Sequence, residues 1–537
     1  MENLRNTAMA WRKVLGSDYV LTDQPTRTAA QTATFVTTQT VPAVIRPGNR
    51  EEVQACVKIA NQYKTPIYPI STGKNWGYGS RVPIQDGCVV MDLGRLDKIA
   101  DYDDKLAYVT VEPGVTQSQL FEYLRERGSH LMMSVTGGPA DSSLIGNALE
   151  RGIGKGPYGD KLAHVCGFEV VLPTGECIHT GFDRFSGAKA SKVHRWGVGP
   201  YFDGLFTQSN LGIVTKMTVW LYPRPNYLQT FFYTISDDSR LEELVDALRQ
   251  LKLTGLIKGT FIISNEYRML SVKQQYPWEE TGGETPIPME IMKKLRKSIG
   301  GAVWVGEGAL YSVSRKQGRI ERKLIKQLLK KRVDKLFFVD AGIAKVLKFI
   351  QPILKRITGF DMGRIADMLY DKNLHRGIPT EETIAMAYWK KRFPVPARMD
   401  PDLDGCGLIW CVPAVPFDGK QVRNALRIIK ETVKSYQFEF NVALNCFTER
   451  CLDITTAILY DREVDGEDER ARECHNTMLQ KLTEEGYIPY RLDIGSMASL
   501  PPPEDDYGKL LEKIKRVLDP NDILASGRYD FRKDWPN

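Results

Sequence analysis

The sequence has no long apolar run free of charged residues, and a membrane-spanning helix needs about 18 such residues in a row. The closest approach, residues 343–357, contains three lysines, one arginine and one proline. We interpret it as an amphipathic helix that packs on protein, with a membrane surface as the alternative. Residues 1–15 carry basic side chains but no continuous apolar core, so we expect no secretory leader and a cytoplasmic protein.

Cysteine pairs at metal-binding spacing are lacking too. The nine cysteines are scattered and no Cys-x-x-Cys occurs, so we expect neither a disulfide framework nor a bound metal. A strong charge excess is also missing, because 73 basic residues stand against 66 acidic ones and leave a net charge of +7. We therefore expect no nucleic-acid partner.

The most basic segment, residues 315–335, contains ten Lys or Arg residues and two acidic ones. Its apolar residues recur at helical spacing, which predicts a solvated helix packed on a sheet and not an RNA-binding arm. The residues predicted to share the packed face are Ile320, Leu324, Leu328 and Val333.

What is there is a chain of 537 residues with a globular composition, 42% hydrophobic and 26% charged. This length exceeds what one hydrophobic core usually serves, so we expect two or more packed units. Two prolines that flank Arg224 follow a β-rich run and indicate a domain boundary. The strands and long charged helices that follow are typical of a separate α+β unit. The predicted units are residues 1–225, 226–487 and 488–537.

Residues 69–80 form a glycine-rich loop between two predicted strands, residues 66–70 and 88–93. The helix before them is predicted from a capping box of Asn49 and Glu52. A Rossmann phosphate loop joins a strand to a helix, so that interpretation fails here. Three glycines in seven residues can form an anion cradle beside a lysine or a plain mobile turn, and both interpretations stay open.

A second glycine-rich stretch extends over residues 136–159. Before it, residues 108–111 are predicted to form a strand, and Thr116 with Gln119 is predicted to cap a helix. So many glycines close together indicate backbone that lies against a flat ligand, and a set of surface turns is the alternative.

Several motifs together resemble the flavoprotein oxidoreductases that act on para-substituted phenols, the family of vanillyl-alcohol oxidase, eugenol oxidase and the flavin subunit of p-cresol methylhydroxylase. The resemblance implies an α+β protein with a PCMH-type FAD-binding domain of two α/β subdomains, completed by the extreme C-terminus. An α+β cap domain with a large antiparallel sheet would cover the flavin. The motifs occupy residues 69–80, 111–116, 146–154, 157–160, 197–217, 486–491 and 518–528.

The resemblance also implies FAD as the cofactor and assigns residues to it. Residues 71–75 would hold the pyrophosphate, the other N-terminal residues would line the nucleotide and the flavin, and the C-terminal pair would close the ring site. The full set is Pro69, Ser71, Thr72, Gly73, Lys74, Asn75, Gly79, Glu112, Pro113, Gly114, Val115, Gly138, Gly146, Asn147, Gly152, Tyr158, Gly212, Ile213, Val214, Gly527 and Arg528.

In this family a phenol binds as phenolate and a hydride leaves its benzylic carbon for flavin N5, which produces a quinone methide. A phenol has a pKa near ~10, so donors must face its oxygen, and Tyr78, Tyr490 and Arg491 match the family's residues for that role. The resemblance further implies reoxidation by O2 or by an electron-acceptor protein, and a homodimer or larger homo-oligomer.

Three departures from the family pattern affect this expectation. Lys155 stands where the family has a third tyrosine, so we hypothesise an anionic, carboxylated phenol as substrate. The family's acidic residue near flavin N5 aligns with Gly138, and Asp141 is the nearest substitute. Residues 402–410 contain neither the histidine nor the tyrosine that anchors the flavin, so we predict noncovalent FAD, with Cys406 as a remote alternative anchor.

Two other interpretations stay open. The chain could be a biosynthetic flavin dehydrogenase or oxidase for a non-phenolic alcohol or amine, in which Tyr490 and Arg491 bind a different oxyanion. It could also be a flavin-binding protein whose pocket no longer reacts, an interpretation that the missing anchors favour and the retained Tyr78 opposes.

Overall fold

The computed structural model describes residues 2–358, 367–500 and 504–530. The strands in these ranges form four sheets. Two of the sheets belong to the N-terminal half of the chain, a third is a two-stranded connection, and the largest belongs to the second half.

The first sheet has four short strands in the order β1-β2-β4-β3, of which β2, β3 and β4 are mutually parallel. Three helices accompany it: Glu2–Leu15, Gln24–Gln31 and Arg50–Tyr63. Its core also contains Ile523 and Leu524, so the C-terminal segment completes this subdomain. The strands are Val20–Leu21 (β1), Val44–Ile45 (β2), Ile67–Ile70 (β3) and Val89–Asp92 (β4).

The second sheet is antiparallel with five strands in the order β5-β6-β10-β8-β9. The helices Gln117–Glu126 and Leu144–Leu149 accompany it. A two-stranded ribbon, β7 with β11, leads to the cap. The strands are Ile99–Asp103 (β5), Tyr108–Val111 (β6), Leu131–Met132 (β7), Val165–Val171 (β8), Cys177–His179 (β9), Ile213–Trp220 (β10) and Tyr222–Pro223 (β11).

The fourth and largest sheet forms the cap and is antiparallel, in the order β15-β12-β14-β13-β18-β19-β16, with β17 also paired to β19. The strands are Tyr227–Ile235 (β12), Phe261–Asn265 (β13), Trp304–Ser312 (β14), Lys335–Val339 (β15), Cys406–Cys411 (β16), Ala414–Pro416 (β17), Val442–Cys446 (β18) and Cys451–Asp461 (β19).

Helices cover one face of the cap sheet, because alternate strand residues such as Phe261, Leu444 and Ile454 pack with helical Leu248 and Ile429 in one core. The opposite face carries the intervening residues. The long helices of this half are Leu241–Leu253, Glu266–Lys273, Met289–Arg296, Arg315–Leu329, Ala341–Thr358, Gly419–Ser435, Glu467–Glu484 and, near the C-terminus, Asp506–Leu518.

The basic helix differs from its prediction in extent and in part of its packed face, since Leu328 and Val333 pack on the core as predicted but the other two residues do not. It ends at Leu329, and strand β15 follows after a short turn. Ile320 and Leu324 are 55% and 45% exposed. The helix is rotated because Gly318 lies against Tyr227, where a Cβ would approach the ring to 2.5 Å. The buried positions are therefore Gly318, Glu321, Ile325 and Leu329.

None of the helices in the described ranges is both long and apolar enough to cross a membrane. The amphipathic segment predicted at residues 343–357 lies within the helix Ala341–Thr358. On it Ala344 is buried, whereas Val346 and Phe349 are 57% and 85% exposed.

Candidate active site

The glycine-rich loop after β3 is fixed by contacts with other parts of the chain. Gly73, Gly77 and Gly79 have φ values of +68°, +80° and +114°, which favour glycine. A Cβ on Gly77 would lie 2.1 Å from Cδ1 of Trp410, and one on Gly79 would lie 2.6 Å from Cγ2 of Ile494. The loop therefore packs tightly against Trp410 of the cap and against Ile494.

The start of this loop meets the residues predicted to line the nucleotide. Thr72 Oγ1 accepts a hydrogen bond from the Ser143 amide at 3.2 Å, and a Cβ on Gly146 would lie 3.2 Å from Ser71 Oγ. The Leu144 amide donates to the Val115 carbonyl at 3.1 Å. The structure thus brings residues 71–75, 112–115 and 143–147 together.

The predicted C-terminal residues reach the same region. Arg528 donates a hydrogen bond to the Tyr68 hydroxyl at 2.6 Å on strand β3. Gly527 and Asn210 both donate to Asp530, at 3.3 Å and 2.9 Å, which places the C-terminal turn beside the start of β10. Ile213 and Val214 are buried there.

Tyr78, Tyr490 and Arg491 come together, as the family motif requires. The Arg491 guanidinium carbon lies 4.2 Å from the centre of the Tyr78 ring. Burial, and for Tyr78 also the neighbouring Tyr490, raises the pKa of both phenol groups above the usual value. Both hydroxyls therefore keep their protons near neutral pH and can donate to an oxyanion.

Glu150 holds this arginine in place. Its carboxylate lies 3.2 Å from Arg491 Nε, is also hydrogen-bonded by Arg528, and accepts from the Tyr529 hydroxyl at 3.3 Å. Burial opposes ionisation of Glu150, but the charges of Arg528 and Arg491 outweigh it and lower its pKa. Sequence reasoning missed Glu150, although an acid inside the glycine-rich motif 146–154 was an available signal.

Lys155 does not present the open cation that the sequence suggested. Its Nζ lies 2.6 Å from Oε1 of Glu307 on β14, and the lysine is 6% exposed. Burial opposes ionisation of Glu307, yet Lys155 and His375 lower its pKa. A carboxylate from the cap, 152 residues away, thus neutralises the lysine, and the role of Lys155 toward an anionic substrate stays a prediction.

Glu307 begins a row of residues across the face of the cap sheet opposite to the one that packs with Leu248 and Ile429. Strand register places Glu307 opposite Ile262, Ile262 opposite Asn445, and Asn445 opposite Asp453. Asp453 in turn pairs with Ala414, next to a bridge between Pro413 and Pro489. The row therefore ends beside Tyr490.

Asp453 is a site residue that sequence reasoning missed. It is 1% exposed, and its Oδ2 has no hydrogen-bond partner within the described ranges. Burial, with repulsion from Asp160, raises its pKa to about 8. An acid between the apolar Leu452 and Ile454 of a strand was the available signal.

The contacts of Asp141, Gly138 and Tyr158 do not test the roles predicted for these residues. Asp141 Oδ2 lies 3.3 Å from Lys74 Nζ, and 54% of its side chain is exposed. A Cβ on Gly138 would meet only an ordinary contact, 3.5 Å from Thr136. Tyr158 stacks on His164 at 3.9 Å. Their assigned roles stay predictions.

A cavity of about 500 Å³ lies at the boundary of the cap and the N-terminal half. Arginines and aromatic residues line it, among them Arg125, Arg224, Arg376, Tyr227 and Tyr370, but none of the two tyrosines and the arginine of the predicted phenol site. It is a separate feature.

Comparison with known proteins decides the family. The chain is 49% identical over 533 residues to 1'-carboxy-chondrochloren decarboxylase of Chondromyces crocatus, covering 99% of this chain and 98% of that protein. It is 31% identical to the flavoprotein subunit of 4-cresol dehydrogenase (hydroxylating) of Pseudomonas putida, covering 98% and 95%. The substrate-bound crystal structure of p-cresol methylhydroxylase matches with a TM-score of 0.87 at 29% identity, covering 99% and 97%. Residues 41–181 match the FAD binding domain family.

The chain belongs to the p-cresol methylhydroxylase family. It is an FAD-dependent oxidoreductase with the PCMH-type fold, and the predicted α+β class, the large antiparallel cap sheet and the FAD cofactor are confirmed.

The residues of this family member fit FAD. Asn147 Oδ1 and Lys161 Nζ are buried without a hydrogen-bond partner in the described ranges, and burial lowers the pKa of Lys161 to about 7. A Cβ on Gly152 would lie 2.4 Å from Asn147 Nδ2, and one on Gly154 2.9 Å from Lys161 Cε. Unsatisfied polar atoms in a glycine-lined region are what a bound dinucleotide completes.

The segment expected to carry a covalent anchor presents an indole to the loop. Trp410 Nε1 donates to the Trp76 carbonyl at 3.1 Å, and the same ring lies against Gly77. Cys406 is fully buried at the opposite end of β16, and burial raises the pKa of its thiol. The residue of this segment that lies beside the loop is thus a tryptophan.

Proposed function

We propose that this enzyme oxidises the para side chain of a phenol at its benzylic carbon. The observation that carries the proposal is the convergence of Tyr78, Tyr490 and Arg491, with the arginine 4.2 Å from the Tyr78 ring. FAD, when bound, supplies the two-electron acceptor that takes the hydride.

The side chains of the site would act on the phenol oxygen. The Tyr78 and Tyr490 hydroxyls, which burial keeps protonated, donate to the phenolate, and the Arg491 charge favours loss of the phenol proton. Glu150 orients the arginine through its 3.2 Å ion pair. The negative charge of the phenolate delocalises into the ring and favours hydride loss from the benzylic carbon of the para side chain, which leaves a quinone methide.

A second candidate, oxidative decarboxylation, is favoured by the 49% identity to a protein described as a decarboxylase. Here the carbon next to the benzylic carbon carries a carboxylate. After hydride loss, the bond to the carboxylate carbon breaks and its electron pair restores the phenolate. The products are carbon dioxide and a para-alkenyl phenol, with one hydride transferred.

Further proposals concern binding and assembly. We propose noncovalent FAD, because an indole lies beside the loop at Gly77. O2 or an electron-acceptor protein as oxidant, a homodimer or larger assembly and a cytoplasmic location rest on the family resemblance and the sequence alone. A non-phenolic alcohol or amine as substrate, or a silent flavin-binding protein, are the outcomes against which the test is designed.

The test combines phenolate formation with anaerobic flavin reduction in the holoenzyme. A para-alkyl phenol should shift to its phenolate spectrum on binding and then bleach the flavin absorbance. Tyr490→Phe should weaken both signals at least tenfold, whereas Tyr507→Phe, 68% exposed on the helix Asp506–Leu518, should change neither. Bleaching by an alcohol without a phenolate spectrum contradicts the proposal, and a lack of bleaching by every substrate indicates a silent protein.

A further inference from the structure

Arg268 is a buried cation without a carboxylate partner among the described residues. It is 8% exposed and belongs to the helix Glu266–Lys273, which follows strand β13 directly. The Asn265 side chain accepts a hydrogen bond from the Arg268 amide at 3.0 Å, so this helix cap fixes the position of the Arg268 backbone.

The partners of the Arg268 guanidinium are all neutral. Nη2 donates to the Thr455 carbonyl at 3.0 Å, Nη1 lies 2.7 Å from Met386 Sδ, and the group stacks on Trp410 at 5.1 Å from the ring centre. Nε is buried and has no hydrogen-bond partner in the described chain. Burial lowers the pKa of this arginine to about 9. Proteins rarely bury a guanidinium without a counter-charge, because the desolvation of the charge is then costly.

The position of Arg268 points to the active site. Thr455 lies on the same face of β19 as Asp453, two residues away, and its Oγ1 accepts from Asn445 Nδ2 at 3.1 Å. Asn445 and Asp453 belong to the row that begins at Glu307, and Glu307 pairs with Lys155 of the N-terminal half. Trp410, on which Arg268 stacks, contacts Gly77, the neighbour of Tyr78.

Two other cations of the site, Lys155 and Arg491, already have counter-charges. Glu307 neutralises Lys155 at 2.6 Å, and Glu150 neutralises Arg491 at 3.2 Å. An added anion would therefore gain more from Arg268, whose charge the described protein leaves uncompensated, than from either of these two.

We propose that Arg268 binds a carboxylate on the side chain of the substrate, so that the substrate class is a para-substituted phenol with an acidic side chain. The guanidinium offers a planar pair of donors that fits a carboxylate. This inference rests on the proposed function, and it replaces Lys155 as the residue that selects an anionic phenol.

The test compares two phenols of the same length, para-hydroxyphenylpropanoate and para-propylphenol, on the FAD-loaded enzyme. Dissociation constants come from anaerobic calorimetry and KM from turnover. Arg268→Gln should weaken binding of the acidic phenol at least about tenfold, and should change binding of the neutral phenol by less than twofold. Arg268→Lys should retain part of the preference, and Arg516→Gln, which breaks an exposed pair with Glu512, should change nothing.

The outcomes separate this inference from the proposed function. Equal weakening of both phenols by Arg268→Gln overturns the carboxylate role and indicates a structural one. Oxidation of both phenols without a preference for the acid overturns the inference and keeps the function. If neither phenol binds, both proposals fail. Heat protection of the native enzyme by the acidic phenol, but not by the neutral one, supports the inference even where a variant fails to fold.

Discussion

The Glu150 carboxylate lies 3.2 Å from Nε of Arg491 and also accepts a hydrogen bond from Arg528. One acid therefore joins the cap-proximal end of the chain, where Arg491 lies, to the C-terminal turn that completes the FAD-binding domain. Its own segment, 146–154, follows the start of the helix that contacts the glycine-rich loop at Thr72. Arg491 faces Tyr78, and its position thus depends on ion pairs of Glu150 that join three separate stretches of sequence.

Glu150→Gln should cost about 3 kcal/mol of unfolding free energy, because two buried guanidinium groups lose their shared counter-charge. The pKa of Glu150 is lowered in the folded state, so its contribution is present above the unfolded carboxyl pKa and is lost as pH falls through the folded value. The native enzyme should therefore lose stability on acidification more steeply than the variant. Urea unfolding from pH 7 down to pH 3 measures this.

The control for this prediction is Glu512→Gln, which removes an exposed pair with Arg516 and should cost less than about 1 kcal/mol. If the free energy of unfolding falls equally on acidification in the native protein and in Glu150→Gln, Glu150 does not hold its charge in the fold.

Lys155→Met should destabilise the enzyme by about 2 kcal/mol, because it leaves the Glu307 carboxylate without its 2.6 Å partner. The double variant with Glu307→Gln should recover most of that loss. Thermal unfolding of the four proteins forms a double-mutant cycle. Lys293→Met, which breaks an exposed pair with Glu290, is the control, and additive effects of Lys155 and Glu307 would contradict the pairing.

Local patterns in the sequence were sufficient to predict the helices and strands whose boundaries depend on residues close by in the chain. The helix Arg50–Tyr63 begins after the Asn49 cap as predicted, and the strand Tyr108–Val111 has the predicted bounds. Both follow from hydrogen bonds and periodicity within a few residues. The family motifs added the arrangement of Tyr78, Tyr490 and Arg491, which lie in distant segments.

The remaining site residues depend on register and tertiary packing, which one sequence does not reveal. Glu307 and Asp453 reach the site because four strands align them in one row. Trp410 of the cap contacts Gly77 of the N-terminal half, although 333 residues separate the two in the sequence. The basic helix shows the same limit, since periodicity predicted the helix but the contact of Gly318 with Tyr227 set its buried face.

Asp453→Asn should remove a pH dependence of phenol binding. With its pKa raised to about 8, Asp453 is a neutral acid at pH 7 and gains a negative charge beside Tyr490 above pH 8. The charge opposes a bound phenolate, so the native enzyme should bind the phenol more weakly than the variant above pH 8 and equally well at pH 7. Calorimetric dissociation constants from pH 7 to pH 9 should show the two proteins diverge above pH 8.

The same group gives a stability prediction with the opposite sign to that of Glu150. An acid whose folded pKa is raised holds its proton in the fold between the unfolded pKa and pH 8, so native stability falls as pH rises through that window. Asp453→Asn should flatten this slope. Asp506→Asn, with a side chain 99% exposed, is the control, and equal slopes in the native protein and Asp453→Asn would contradict the assignment.

Gly77→Ala should release FAD, whereas Gly87→Ala should not. Both glycines have similar positive φ values, +80° and +73°, so both substitutions share a backbone strain of about 1–2 kcal/mol. Only at Gly77 would the new Cβ meet another group, Cδ1 of Trp410 at 2.1 Å, since nothing lies within 4 Å at Gly87. The flavin absorbance per protein after gel filtration should drop at least fivefold in Gly77→Ala alone. Equal flavin loss in both variants would mean that strain, and not the contact between loop and cap, controls cofactor retention.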